Sequence, residues 1–210
     1  MVDLVRCGLI DPRFSGYLAE EKDHATIVAV LDHVNTLSAK NTCPYALRLV
    51  TLQMACNLFS SLLYAEQVLA HDRLRSAVTQ LVSSSFLDDS HSNVRVAAAS
   101  LLFNVALSNS HRRRDGPSDG LPEGDQIELA ASVLEAISQE EASVEALHGM
   151  VLALGLLAYR LPLGGELAAL LRTMDAGDLV LNKTKVKAFE GMGLLKEVGS
   201  ELLSKGLRQP

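Results

Sequence analysis

Tryptophan is absent from this 210-residue chain and aromatic residues make up only 4% of it, so a sheet stack built on large cross-strand ring pairs is a poor fit. Cysteine is scarce: Cys7, Cys43 and Cys56 are odd in number and show neither CxxC nor Cys/His metal spacing, which excludes a disulfide framework and a zinc site and leaves reduced structural thiols. No stretch approaches 18 uninterrupted apolar residues, and Met1-Val2-Asp3-Leu4-Val5-Arg6-Cys7 lacks the layout of a signal peptide. Positive charge is also short. A formal net charge of −6 argues against general affinity for nucleic acid or for an anionic membrane. These absences predict a soluble intracellular domain, cytoplasmic or nuclear. Its apolar opening segment, Leu4 to Ile10, reads as the start of a module cut from a longer protein.

Catalytic signatures are missing as well. There is no GxSxG, HExxH, P-loop or strand-borne GxGxxG. His24, His33, His71, His91, His111 and His148 are scattered and read as packing or solvent-facing residues. Cys56 lies within LVTLQMACNLF, where a thiol serves as a small core residue. The pairs Asp88-Asp89, Glu20-Glu21 and Glu140-Glu141 read as helix caps and solvated faces. The expectation is a non-enzyme with no cofactor and no metal.

What the chain has is helix-forming, apolar sequence: 48% hydrophobic residues, chiefly Leu, Ala and Val. Helical spacing appears at Ile27 to Val34, Tyr45 to Phe59, Leu74 to Phe86, Val94 to Leu107, Ile127 to Ile137, Val144 to Tyr159, Gly165 to Met174 and Lys185 to Leu203. About eight to ten helices follow. Breaks are marked by Asp11-Pro12 with Gly16, Thr42-Cys43-Pro44, Asp88-Asp89-Ser90, Leu161-Pro162 with Gly164-Gly165, and Ala176-Gly177-Asp178. The longest, HRRRDGPSDGLPEGD over residues 111–125, predicts a mobile polar loop inside a single domain spanning residues 1–210.

The chain also repeats itself. Arg48 and Asn57, nine residues apart, recur 47 residues later as Arg95 and Asn104. A third unit puts Ala146 and Gly155 at those places, and a fourth, Lys185 to Leu195, is weaker still. Period and helix content predict an all-α, armadillo/HEAT-like right-handed superhelix of about six stacked repeats. Nine residues are two and a half helical turns, so Arg and Asn of one pair cannot share a narrow stripe. An asparagine on such a helix can hold the backbone of an extended peptide or bond a neighbouring turn. An arginine near a helix start opposes the dipole, and a partner's carboxylate is the candidate reason for its repetition. Lys183, Lys185 and Lys187, like Arg112, Arg113 and Arg114, read as solvated charge or as contacts for an acidic ligand.

The order of pieces, ALRLVTLQMACNLF, then NVRVAAASLLFNVAL, then EALHGMVLALGLLAY, then a short terminal helix, resembles the PUL domain across about Leu4 to Leu203. That resemblance implies an armadillo-like fold whose basic concave groove binds the acidic C-terminal tail of valosin-containing protein, the ubiquitin-selective AAA unfoldase. Carried onto this chain, it places Arg48, Asn57, Arg95 and Asn104 in the groove, with Lys185 as an addition; Ala146 and Gly155 break a uniform ladder. The segments DLVRCGLIDPRFSGYLAEEKDHATIVAVLDHVN and SSSFLDDSHSNVRVAAASLLFN are most similar to fungal proteins that join a thioredoxin-like or PPPDE-type isopeptidase domain to a terminal PUL domain. A monomer linked to ubiquitin-pathway proteins is expected. Two alternatives stand beside it: a Cys/His enzyme fragment, and a helical spacer or homodimer in which Arg48 and Arg95 merely bridge repeats.

Overall fold

The structure is a computed structural model that describes residues 1–115 and 120–207, with the side chains of Arg114 and Asp115 outside the description. Among the described residues there is no strand; twelve α-helices, several short 3₁₀ turns and a π-wound terminal helix form a helical-repeat solenoid.

Two rows of helices make up the solenoid. The first contains α1 (Val2–Gly8), α4 (Tyr45–Asn57), α7 (Ser92–Asp115), α9 (Val144–Ala158) and the π-helix Glu197–Lys205, each packed on the next. The second contains α3 (Ala25–Ala39), α6 (Asp72–Phe86), α8 (Glu123–Gln139) and α11 (Ala176–Asn182), stacked in the same way. Shorter helices α2 (Pro12–Ala19), α5 (Leu62–Ala70) and α10 (Glu166–Thr173) lie across the rows, and α12 (Gly193–Lys196) leads into the π-helix. The core lies between the rows, where apolar residues recur at helical spacing: Leu74, Val78, Leu81 and Val82 of α6, Leu101, Leu102 and Val105 of α7, and Met150, Val151 and Leu154 of α9 are buried. Neither row can bury its apolar stripe alone, which is why the units stack.

Local chemistry sets the boundaries, and in places it differs from the sequence expectation. Asp11-Pro12 starts α2 instead of a loop: the Asp11 carboxylate accepts from Arg13 N at 2.8 Å, and Pro12 occupies the first helical position, where its missing N–H costs nothing. Ala176-Gly177-Asp178 starts α11. A Cβ on Gly177 would lie 2.9 Å from the Gly199 carbonyl oxygen and closer still to Ser204 Oγ, so only glycine lets α11 meet the π-helix. The expected loop over residues 111–125 is shorter than the composition implies. Helix α7 runs through Asp115 and α8 begins at Glu123, while residues 116–119 lie outside the described residues. The expected final helix from Lys185 is 3₁₀ turns at Lys183–Lys185 and Lys187–Phe189 before α12 begins.

No single helix among the described residues is long and apolar enough to cross a membrane. No group of three or more potential metal ligands occurs among them.

Candidate functional site

Charge is divided between the rows. Helices α4, α7 and α9 carry five arginines against two carboxylates, whereas α3, α6, α8 and α11 carry two arginines against seven carboxylates. With α1 and the π-helix included, the first row carries six arginines and one lysine against five carboxylates, so the excess of cations lies in its middle helices. The outward side of those helices shows Gln53 of α4, Asn93, Ser100 and His111 of α7, and His148 of α9.

Arg48 and Arg95 occupy equivalent places near the starts of α4 and α7, and both reach the acidic turn of the next unit. Their settings differ. Arg95 Nε donates to Glu140 Oε2 at 2.7 Å and its Nη1 to the Asp88 carbonyl at 2.7 Å, and the Glu140 side chain is only 1% exposed. Glu140 Oε1 also accepts from Ala142 N and Ser143 N at 3.1 and 2.8 Å. Burial pushes this carboxyl up, but the Arg95 bond and the two amides outweigh burial and hold it below its ordinary range. Arg95 is thus a pin between units. Arg48 touches Asp88 Oδ2 through Nη1 at 3.5 Å, and its buried Nε has no hydrogen-bond partner among the described residues. Its donors are largely unspent.

Asp88 holds its own turn together. Its Oδ1 accepts from Ser90 N at 3.1 Å and His91 N at 3.0 Å, and lies 3.0 Å from His91 Nδ1. The His91 ring stacks on Tyr45 at 4.1 Å between centroids, and Asn93 Nδ2 donates to the Tyr45 hydroxyl.

The asparagines separate in the same manner. Asn57 Nδ2 donates to the Arg6 carbonyl at 2.8 Å and so satisfies one of the last carbonyls of α1, a bond to a neighbouring helix end. Asn104, half-buried one turn beyond Ser100, has no hydrogen-bond partner among the described residues. Lys185 is exposed and donates to Asn182 Oδ1 at 2.7 Å, away from the arginines in sequence and in partners. Five expected positions therefore fall into two kinds: Arg95 and Asn57 tie units together, while Arg48, Asn104 and Lys185 keep an accessible edge, open donors or solvent exposure.

Breaks in the repeat have physical reasons. A Cβ at Gly155 would already meet Val198 Cγ2 at 3.4 Å, which leaves no room for an asparagine against the π-helix. Where Ala146 replaces the arginine, the tie runs in reverse. Lys183 of the following unit is buried and donates Nζ to the Ser138 and Glu140 carbonyls at 2.8 and 2.9 Å. Burial pushes its ammonium pKa down, with Glu141 and Glu140 opposing. Lys183 is therefore a structural residue and not solvated charge, while Lys187 is exposed as expected.

The arginine run at the end of α7 also clamps neighbours. Arg112 Nη2 donates to the Glu66 carbonyl of α5 at 3.0 Å. Arg113 Nη1 donates to Leu157 and Tyr159 carbonyls at 3.0 and 3.1 Å, a cation placed on the C-terminal end of α9. Arg114's side chain lies outside the described residues. Sequence reasoning treated Asp88 and Glu140 as local caps; their second role as arginine partners had only one signal, an acid at the turn before each of two successive units.

No curated protein and no solved structure matches the chain. The family model described as the PUL domain, a protein-interaction module and not a catalytic one, matches residues 1–201, and the chain belongs to that family.

Proposed function

We propose that this domain binds the acidic C-terminal tail of a valosin-containing-protein-type AAA ATPase, laid as an extended peptide across the basic row of α4, α7 and α9. The observation that carries this reading is the uneven charge: a chain of net charge −6 places five arginines against two carboxylates in α4, α7 and α9. Within those helices Arg48 has a single long ion-pair contact, and its terminal guanidinium nitrogens, not the shielded Nε, are the donors it can offer a carboxylate. Asn104 supplies an unpartnered amide for the peptide backbone. Lys185 adds an exposed ammonium at the last unit, and Arg95 and Asn57 contribute by holding the units in register.

Ordering the tail costs conformational entropy, so micromolar affinity is expected for one site, strengthened by a ligand that presents several tails. In a longer parent protein such a domain would bring a thioredoxin-like or isopeptidase unit to the ATPase and its ubiquitinated clients, in the cytoplasm or nucleus. The test is a fluorescence-anisotropy titration with a labelled copy of the acidic tail at low and moderate salt. Saturable binding that weakens with salt supports the reading. No binding, or equal binding of a sequence-scrambled peptide with its carboxylates replaced by amides, contradicts it.

A further inference from the structure

We infer that Asp88 is an intramolecular competitor for the acidic ligand: in the free protein its carboxylate holds the place on Arg48 that a peptide carboxylate takes over. The inference rests on the reading of Arg48 as a peptide-binding cation.

The argument is one of unequal attachment. Asp88 has Arg48 at 3.5 Å as its longest polar contact, and three shorter ones to Ser90 N, His91 N and His91 Nδ1. Losing Arg48 leaves the carboxylate still bonded to its own turn. Arg48, for its part, gives Asp88 a single long contact and leaves Nε without a partner among the described residues. A free carboxylate can take two guanidinium donors at about 2.7–2.9 Å, which is the stronger arrangement. Exchange therefore improves the arginine's bonding and leaves the aspartate its contacts with its own turn.

Arg95 shows what a non-exchangeable pair looks like. Its partner Glu140 is 1% exposed and is bonded at 2.7 Å, and the guanidinium's second donor is spent on the Asp88 carbonyl. Two arginines that the repeat makes equivalent are equally shielded, 13% exposed each, and differ in how far the turn acid that each one faces has taken up their donors. Asp88 also selects among ligands. A peptide must offer a carboxylate good enough to displace one already present, so weakly acidic or neutral peptides are turned away.

Asp88→Asn tests this. The amide oxygen still accepts from Ser90 N and His91 N, so the turn before α7 keeps its bonds while the competing charge is removed. Asp89→Asn serves as the control, because it removes the same charge from an exposed neighbour with no contact to Arg48 among the described residues. The labelled acidic tail peptide is titrated into wild type, Asp88→Asn, Asp89→Asn and Arg48→Ala, each shown to be folded by circular dichroism. Direct competition predicts affinity raised roughly two- to fivefold in Asp88→Asn alone, the size expected for removing a weak ion-pair competitor. Unchanged or weaker binding by Asp88→Asn, or an equal gain in both Asn variants, overturns the inference while leaving tail binding intact. Wild-type affinity retained by Arg48→Ala removes the reading of Arg48 itself, and the inference with it.

Discussion

Replacing Arg95 by alanine strips the guanidinium from a carboxylate that has almost no access to water. Glu140 is left with two backbone amides, from Ala142 and Ser143, and no paired counter-charge, the Lys183 ammonium being bonded to its backbone carbonyl. Removing one partner of a buried pair costs about 3–5 kcal/mol; the two remaining amides put Arg95→Ala near the lower end, about 3 kcal/mol. For a chain of this size that is a fall in Tm on the order of 6–12 °C. The effect carries a pH signature whose sign follows from proton counting. In wild type Glu140 sits below its ordinary value of 4.5, so the pair's contribution is complete above 4.5 and is lost as pH falls below it. In the variant the paired guanidinium is gone, the carboxyl rises, and acid relieves the unpaired charge by protonating it. The destabilisation measured at pH 7 must therefore shrink as pH falls toward and below 4.5. Paired thermal melts of wild type and Arg95→Ala at neutral and acidic pH make the comparison. A penalty of the same size at both pH values, or none at pH 7, refutes the ion-pair account and would assign any effect to lost arginine packing instead.

Two further outcomes follow from buried groups. His24 is buried in the left-handed turn before α3, its ring 5.0 Å from His71 and 5.7 Å from Tyr64, with Glu21 nearby on its own turn. Burial and then the His71 charge push its pKa below 6.5, so stability is fully present above 6.5 and declines as pH drops below it; His24→Asn, which tolerates the same backbone, should flatten that decline in a pH series of melts. Burial pushes the Cys56 thiol up to about 12, whereas Cys7 is exposed, so alkylation followed by peptide mapping at mildly alkaline pH should label Cys7 first and Cys56 on the order of a hundredfold or more slower. Equal rates would show that Cys56 is far more open than the packing of α4 on α7 implies.

Much of the fold could be read from periodicity, because α3, α6, α7, α8 and α9 each bury a single apolar face and announce it every three to four residues. The short crossing helices could not. Helix α2 hides behind Pro12, which breaks helices in the middle but is tolerated at the first position, and behind Gly16 in its interior; α11 hides behind a glycine required by the π-helix and not by a turn. Helix α5 follows α4 after a single 3₁₀ turn, with no punctuation strong enough to separate them. The recurrence of Arg48 with Arg95 and of Asn57 with Asn104 was visible at once, yet their division of labour was not. It depends on Asp88 and Glu140, supplied from 40 and 45 residues farther along, and on a difference of 0.8 Å between 3.5 and 2.7 Å contacts. Spacing along one helix carries no information about a partner brought in by stacking.

The most direct test of the account sets Arg48→Ala beside Arg95→Ala, measuring both affinity for the acidic tail peptide and melting temperature in each. The account predicts a dissociation of roles: Arg48→Ala keeps a melting temperature close to wild type and loses peptide binding, while Arg95→Ala melts on the order of 6–12 °C lower. Its folded fraction, measured below that transition, still binds the peptide. Retained binding in Arg48→Ala, or a loss of binding in Arg95→Ala with no loss of stability, would contradict it.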